Sequence, residues 1–299
     1  MSDSPLYCGR FAPTPSGPLH FGSLIAALAS WLDARASGGQ WRVRIEDVDV
    51  PRCPAGASSI ILGQLDNFGL EWDGEVIYQH QRSDLYQAAL DLLKHDGCAY
   101  PCGCSRKEWQ AFALYPGWCR DGNRHPDRAP AWRLRIAHSA PTAEVSWQDR
   151  RMGRQKWPLA DLSDVVIKRR DGWWAYQLAV VVDDNAQGIT DVVRGADLLD
   201  NTPWQLLLQQ HLHYPTPHYL HLPLATASNG QKLSKQNLAP ALPDNGDKIR
   251  ACLFDAINTL GQQPPAELRH APVTEQLHWA RHNWQVEQLP SADVVHKDS

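Results

Sequence analysis

Apolar and polar positions along this chain follow two periods, and the switches between them mark its elements. Residues 6–12 form a short, mostly apolar run that stops at the turn Pro13-Thr14-Pro15-Ser16-Gly17-Pro18. Leu24, Ile25, Leu28, Trp31 and Leu32 then recur at helical spacing until Gly38-Gly39. Trp41, Val43 and Ile45 alternate with Arg42, Arg44 and Glu46, the period of a strand with one buried face. Strand, turn, helix and strand in that order make a βαβ unit and predict an α/β fold with a parallel sheet. Residues 175–182 read as a buried strand or a buried helix, and residues 198–212 as a helix. After Pro243, the positions Ile249, Cys252, Leu253, Ala256, Ile257 and Leu260 define one apolar helical face. Residues 98–172 break the pattern. They are rich in Cys, Trp, Arg, Gly and Pro and read as an inserted module. The tail beyond Pro290 is expected to fray.

Composition narrows the class. A chain of 299 residues suggests about two domains, and 43% apolar with 21% charged residues excludes a disordered chain. The longest uncharged apolar stretch, residues 21–32, is too short for a membrane span, which needs about 20 residues. The first residues lack the basic flank and apolar core of a signal peptide. Seven cysteines, an odd number, fit a reducing cytoplasm better than a disulfide framework. The net charge of −4 argues against a polyanion partner only as an average. Residues 104–171 hold 14 basic against 8 acidic side chains, leaving −10 for the remainder. A basic segment inside an acidic protein suggests a directed contact with a polyanion, an irregular solvated surface being the plainer alternative.

Three clusters could carry chemistry. In an open α/β sheet, ligands sit beyond the carboxyl ends of strands and at the N-termini of the helices that follow. The turn between Arg10 and Ser23 occupies that place. There Gly22 permits close approach to a phosphate, and His20 can donate to one. Arg10 at one strand end and Glu46-Asp47 at the next offer a cation and an anion, as a zwitterion requires. Lys232-Leu233-Ser234-Lys235-Gln236 could neutralise a triphosphate in its transition state. Alone, such patterns are more often a turn glycine with a surface histidine and a solvated basic loop. Cys98, Cys102, Cys104 and Cys119 fall within 22 residues and suggest a structural zinc site, which chemistry alone would complete with four thiolates. His211, His213, His218 and His221 read as incidental surface residues. Tryptophans 109, 118, 132, 147, 157, 173 and 174 could stack on unpaired bases, though tryptophan is more often core.

Together, in this order and context, the motifs resemble the class I aminoacyl-tRNA synthetases of the glutamyl branch. His20-Phe21-Gly22-Ser23 is similar to the HIGH signature, with serine at its last position, and the 232–236 segment is similar to KMSKS. Arg10-Phe-Ala-Pro-Thr-Pro-Ser-Gly17 resembles RxAPSPTG, and Arg44-Ile-Glu-Asp-Val-Asp49 resembles RIEDTD. The likeness continues through Tyr176-Gln-Leu-Ala-Val-Val-Val-Asp-Asp184, Gly188-Ile-Thr-Asp-Val-Val-Arg194-Gly195 and His221-Leu-Pro-Leu224, spanning residues 7–240. Two features depart from the full-length enzymes. Only 63 residues follow Gln236, where those enzymes carry a large helical anticodon-binding region, and Val180 replaces their usual Asn. Both resemble the truncated paralogues that attach glutamate to the queuosine base in the anticodon of tRNA(Asp).

The resemblance implies a Rossmann-type catalytic domain in two halves, residues 1–97 and 173–240. Residues 98–172 would be an inserted zinc-binding, acceptor-like module, and residues 241–299 a C-terminal helical segment. It implies that His20, Gly22, Lys232, Ser234 and Lys235 hold ATP, with His20, Lys232 and Lys235 catalytic and Mg²⁺ carried by the nucleotide. Arg10, Ala12, Thr14, Glu46, Tyr176 and Arg194 would line the L-glutamate site, either arginine taking the side-chain carboxylate. For zinc it implies Cys102, Cys104, Tyr115 and Cys119, so that Tyr115 competes with Cys98 as fourth ligand. The implied partners are ATP, L-glutamate and queuosine-bearing tRNA(Asp), acting on a cytoplasmic monomer without membrane contact. An ordinary glutamyl-tRNA synthetase, a non-catalytic tRNA-binding paralogue and a small-molecule nucleotidyltransferase are the alternatives.

Overall fold

The computed structural model describes residues 6–49, 52–136, 143–226 and 240–295. Strand β1 (Cys8–Phe11), helix α1 (Phe21–Ala36) and strand β2 (Gln40–Ile45) form the expected βαβ unit. β1 and β2 run parallel, with Cys8 opposite Gln40 and Phe11 opposite Val43. Helix α2 (Ala57–Asn67) leads to β3 (Ile77–Tyr78), which adds in parallel to β2. Gly39 must be glycine here, because a Cβ would stand 2.4 Å from the Tyr7 carbonyl oxygen.

After helix α3 (Ser83–His95) the chain leaves the main sheet. Strands β4 (Ala99–Cys102), β5 (Ala131–Leu134) and β8 (Val166–Lys168) make a separate three-stranded antiparallel sheet. The hairpin between them, β6 (Glu144–Asp149) and β7 (Gly153–Pro158), joins the main sheet instead. The 98–172 stretch thus feeds two sheets.

Helix α4 (Tyr176–Ala186), strand β9 (Asp191–Gly195), helix α5 (Thr202–His211) and strand β10 (His218–Leu222) complete the main sheet. The ambiguous run at 175–182 is therefore helical. Its three consecutive valines are buried among α3, α5 and β8, and that packing outweighs their strand preference. β9 and β10 are parallel, and β10 meets β6 at Tyr219 and Asp149. β9 also lies against β1, where the Thr190 N–H donates to the Cys8 carbonyl at 2.9 Å. From that junction the chain builds outward through β2 and β3 on one side and through β10 on the other. Such a reversal of strand order is where open α/β sheets form their ligand crevice.

The C-terminal segment covers the outer face of α1. Helices α6 (Gly246–Thr259) and α7 (Val273–His282) place Ile249, Leu253, Ala256, Ile257 and Leu277 in one core with Leu24, Leu28 and Leu32. This two-sided cover explains why α1 is apolar on most of its faces. Among the described residues, the expected fraying beyond Pro290 gives way to a short parallel pairing, and residues 296–299 lie outside those described. Strand β12 (Val294–Val295) pairs with β11 (Ala225–Thr226), and Asp293 accepts the Leu224 N–H at 2.8 Å.

Part of the segmental charge asymmetry is internal. Arg150 pairs with Asp33 at 2.5 Å and Arg169 with Asp49 at 2.7 Å, so the basic stretch is tied to the acidic remainder. Among the described residues no helix is long and apolar enough to cross a membrane.

Candidate active site and metal centre

The carboxyl ends of β1 and β9 open into two adjoining cavities. One, of about 390 Å³, is lined by Arg10, Ala12, Glu46, Tyr176 and Arg194. The other, of about 360 Å³, is lined by Ser16, His20, Gly22, Ser23 and Asp197. Phe11, Thr14, Ala26, Gly195 and Leu198 face both, so the two form one bipartite cleft.

The second compartment lies at the N-terminus of α1. His20 caps that helix, its Nδ1 accepting the Ser23 N–H at 3.3 Å. The amino ends of the helix and their partial positive charge thus face the compartment, an arrangement suited to phosphate. The Lys232, Ser234 and Lys235 motif lies outside the described residues.

The first compartment is charged on two walls. On one, Arg10 and Arg44 share Asp184: Arg10 Nε is 3.1 Å from Asp184 Oδ1 and Arg44 Nη1 is 2.7 Å from the same oxygen. Arg44 also reaches Glu46 at 3.3 Å, and Asp183 behind them accepts from Arg82, Tyr86 and Gln79. Three cations and three carboxylates therefore balance. Burial pushes the Asp184 carboxyl up, but Arg10 and Arg44 outweigh it and hold it below its ordinary value. At Glu46 burial wins over the pull of Arg44 and Arg10, and the carboxyl lies above its ordinary value.

On the other wall stands Arg194, only 5% exposed. Its Nε donates to His221 Nε2 at 3.0 Å, Nη1 to Gln205 Oε1 at 2.8 Å and to the Tyr176 hydroxyl at 3.4 Å, and Nη2 to Thr202 Oγ1 at 2.8 Å. All four partners are neutral acceptors. Among the described residues no carboxylate pairs directly with Arg194, and a buried cation without a counter-ion costs free energy until an anion joins it.

The cysteine cluster lies in the module. The thiols of Cys102, Cys104 and Cys119 are all buried and within 4.8 Å of one another, a group able to hold a metal ion. The Tyr115 hydroxyl points into the same group, 3.2 Å from Cys102 Sγ and 3.7 Å from Cys104 Sγ. Cys98 is not part of it, its thiol lying 3.3 Å from His211 Nδ1. Burial pushes the Cys104 thiol up to about 11 and the Tyr115 phenol above its usual range. At Cys119 burial also raises the value, but hydrogen bonds from the Tyr115 hydroxyl and the Arg124 N–H bring it down to about 7.

The structure thus brings the six expected amino-acid-site residues to one cavity, with His20 and Gly22 in the next. Sequence reasoning missed Arg44, Asp184, Thr202, Gln205, His221 and Asp149. Arg44, Asp184 and His221 stand inside motifs it had singled out, so the signal existed without a role attached. The reading of His221 as a surface residue is corrected. It is fully buried, and its Nδ1 lies 2.6 Å from Asp149 Oδ2. Several tryptophans in or near the basic stretch are engaged internally: Trp147 stacks on Trp157, Trp174 donates to Ser83, and Arg124 covers Trp118.

Comparison with known proteins identifies the family and the fold. The model for the catalytic domain of class I tRNA synthetases (E and Q) matches residues 8–112 and 121–293. The chain belongs to that family and has its α/β catalytic core. A relative from Thiobacillus denitrificans, 53% identical over 98% of this chain and 99% of its own length, bears the name glutamyl-Q tRNA(Asp) synthetase. One from Ectopseudomonas mendocina, 51% identical over 97% of both chains, bears the same name. A crystal structure of glutamate-tRNA synthetase from Elizabethkingia anophelis superposes with a TM-score of 0.82 at 22% identity. It covers 98% of this chain and 68% of that one, a likeness of fold.

Proposed function

We propose that the protein activates L-glutamate with ATP and transfers it to the queuosine base in the anticodon of tRNA(Asp). The observation that carries the amino-acid half is Arg194, a buried cation among neutral acceptors, facing the same cavity as Glu46. One carboxylate of glutamate supplies the direct ion pair that Arg194 lacks, and Glu46 takes the ammonium group. Arg10, Thr14, Tyr176 and the backbone of Ala12 complete that wall.

ATP occupies the adjoining compartment, with its phosphates near His20 and Gly22 at the N-terminus of α1. Mg²⁺ travels with the triphosphate, as that ion prefers substrate phosphates to an all-protein cage. The cleft holds the α-carboxylate in line with the α-phosphate, which is where most of the rate gain in such a step arises. An oxygen of the α-carboxylate attacks that phosphorus, pyrophosphate departs, and glutamyl-adenylate remains. Lys232 and Lys235, with Ser234, neutralise the charge that develops on the phosphates. A hydroxyl of the queuosine cyclopentenediol then attacks the activated carbonyl, AMP leaves, and an ester forms.

The metal we assign to the module is zinc, held by Cys102, Cys104, Cys119 and Tyr115. Support comes from the convergence of three buried thiols and a phenol on one point. A closed four-ligand set serves structure rather than catalysis. The metal would brace a stretch that contributes few side chains to the main apolar core. We assign the protein to the cytoplasm, as a monomer.

The decisive experiment compares glutamate transfer to tRNA(Asp) with and without queuosine. Transfer only to the queuosine-bearing tRNA is expected. Equal charging of both, or charging of tRNA(Glu) at its terminal adenosine, would overturn the reading.

A further inference from the structure

Arg194 and His221 are neighbours across the parallel β9–β10 pair, each opposite the other in register. Asp149, at the end of β6, sits one strand further out. The three side chains form a line. Asp149 Oδ2 is 2.6 Å from His221 Nδ1, and His221 Nε2 is 3.0 Å from Arg194 Nε. The guanidinium nitrogen can only donate, so His221 must present a lone pair at Nε2. Its single proton then lies on Nδ1, shared with the carboxylate. The N–H groups of Arg151 and Met152 also donate to Asp149 Oδ1, at 3.0 and 2.8 Å, and fix that carboxylate in place. Thr202 Oγ1, 3.3 Å from His221 Nε2, closes the arrangement on the Arg194 side. Burial lowers the His221 pKa against the pull of Asp149, which keeps the ring neutral.

We propose that His221 and Asp149 are positioning residues for amino-acid recognition, His221 acting as a neutral spacer between Arg194 and its distant counter-ion. A carboxylate touching Arg194 directly would compete with the substrate for it. A carboxylate one imidazole away still offsets the cost of burying the cation. The ring fixes the guanidinium plane through Nε, while Nη1 and Nη2 bond only the neutral acceptors Gln205, Tyr176 and Thr202 in a residue that lines the cavity. The chain thereby keeps a buried arginine both affordable and open to an anion. This inference rests on the reading of the cavity as the glutamate site.

The test measures glutamate-dependent ATP–pyrophosphate exchange in the full-length protein, alongside nitrogen-15 NMR of the histidine rings. His221→Leu leaves the Nε–H without an acceptor, and hydrogen bonds to charged groups of this size correspond to a rise in glutamate KM of about 10- to 150-fold. The KM for ATP should stay within about threefold of wild type on this reasoning. His221→Gln, whose Oε1 can replace Nε2 as acceptor, should recover most of the loss, and Asp149→Asn should fall between. The NMR spectrum should show one neutral ring protonated at Nδ1, its signal lost in the two His221 variants and kept in Asp149→Asn. Equal rises in both KM values, or no recovery with Gln over Leu, would overturn the spacer role. So would a ring protonated at Nε2, which remains readable if His221→Leu does not fold. Absence of any glutamate dependence in the unmodified protein would instead overturn the assignment of the cavity.

Discussion

Replacing Arg194 with glutamine should separate two roles that a buried arginine can play. The guanidinium is 5% exposed and bonded to His221, Gln205, Thr202 and Tyr176, none of which is an acid. Glutamine keeps an NH₂ group for two of those acceptors and loses the charge. In the ligand-free protein the charge has no direct ion pair, so relief of its burial offsets the two hydrogen bonds lost, and unfolding free energy should change by no more than about 2 kcal/mol. In the complex the charge is the attraction. Truncating one side of a desolvated, hydrogen-bonded charge pair typically costs about 2–5 kcal/mol. At about 1.4 kcal/mol per decade that weakens glutamate binding by roughly 30- to 4,000-fold. ATP, in the neighbouring compartment, should bind within about threefold of wild type on the same reasoning. Glutamate titration by calorimetry, ATP KM from pyrophosphate exchange and a urea melt give the three numbers. A protein that loses several kcal/mol of stability and binds both substrates equally less well would refute the argument, since Arg194 would then be a structural cation.

Asp184→Asn should show the opposite profile. It strips Arg10 and Arg44 of their shared carboxylate, and uncovering buried charges costs about 3–5 kcal/mol, to be read from urea melts. Because the two arginines hold the Asp184 carboxyl below its ordinary value, its contribution to stability is present above the unfolded pKa of about 3.9 and lost as pH falls through the folded one. The melts should therefore converge for wild type and D184N in acid, and parallel curves down to the lowest pH would count against this linkage. Cys104→Ser, or a strong chelator, should remove one metal ion per chain by elemental analysis and lower the melting temperature, whereas an unchanged metal content would exclude the cluster as the site. Lys235→Ala should cut the rate of adenylate formation on the order of 100-fold or more with glutamate affinity retained, and an unchanged exchange rate would remove Lys235 from the chemistry.

What could be read in advance followed from how far along the chain each interaction reaches. β1, α1 and β2 are close in sequence, and their periods and turns are local, so the first βαβ unit was legible down to its bounding glycines. The short pairing of Val294 and Val295 with Ala225 and Thr226 spans about seventy residues of chain and only two positions, far below what a pattern can signal. The run at 175–182 was ambiguous because burial of all of 177–182 leaves too few exposed polar positions to report a period, and only the packing of α4 against α3 and α5 resolves it. The site divides along the same line. Arg10 and Glu46 are charged residues at strand ends, where ligands gather, and could be named from position, whereas Arg194 was named only through the resemblance. His221 and Asp149 also sit at strand ends, yet a histidine among three others in eleven residues looks incidental until β6 is known to flank β10. A functional side chain is visible in sequence when its own position gives it a role. One that acts through another residue becomes visible only when the sheet order puts the two together, and Asp149, His221 and Arg194 come from three strands whose adjacency no local pattern states.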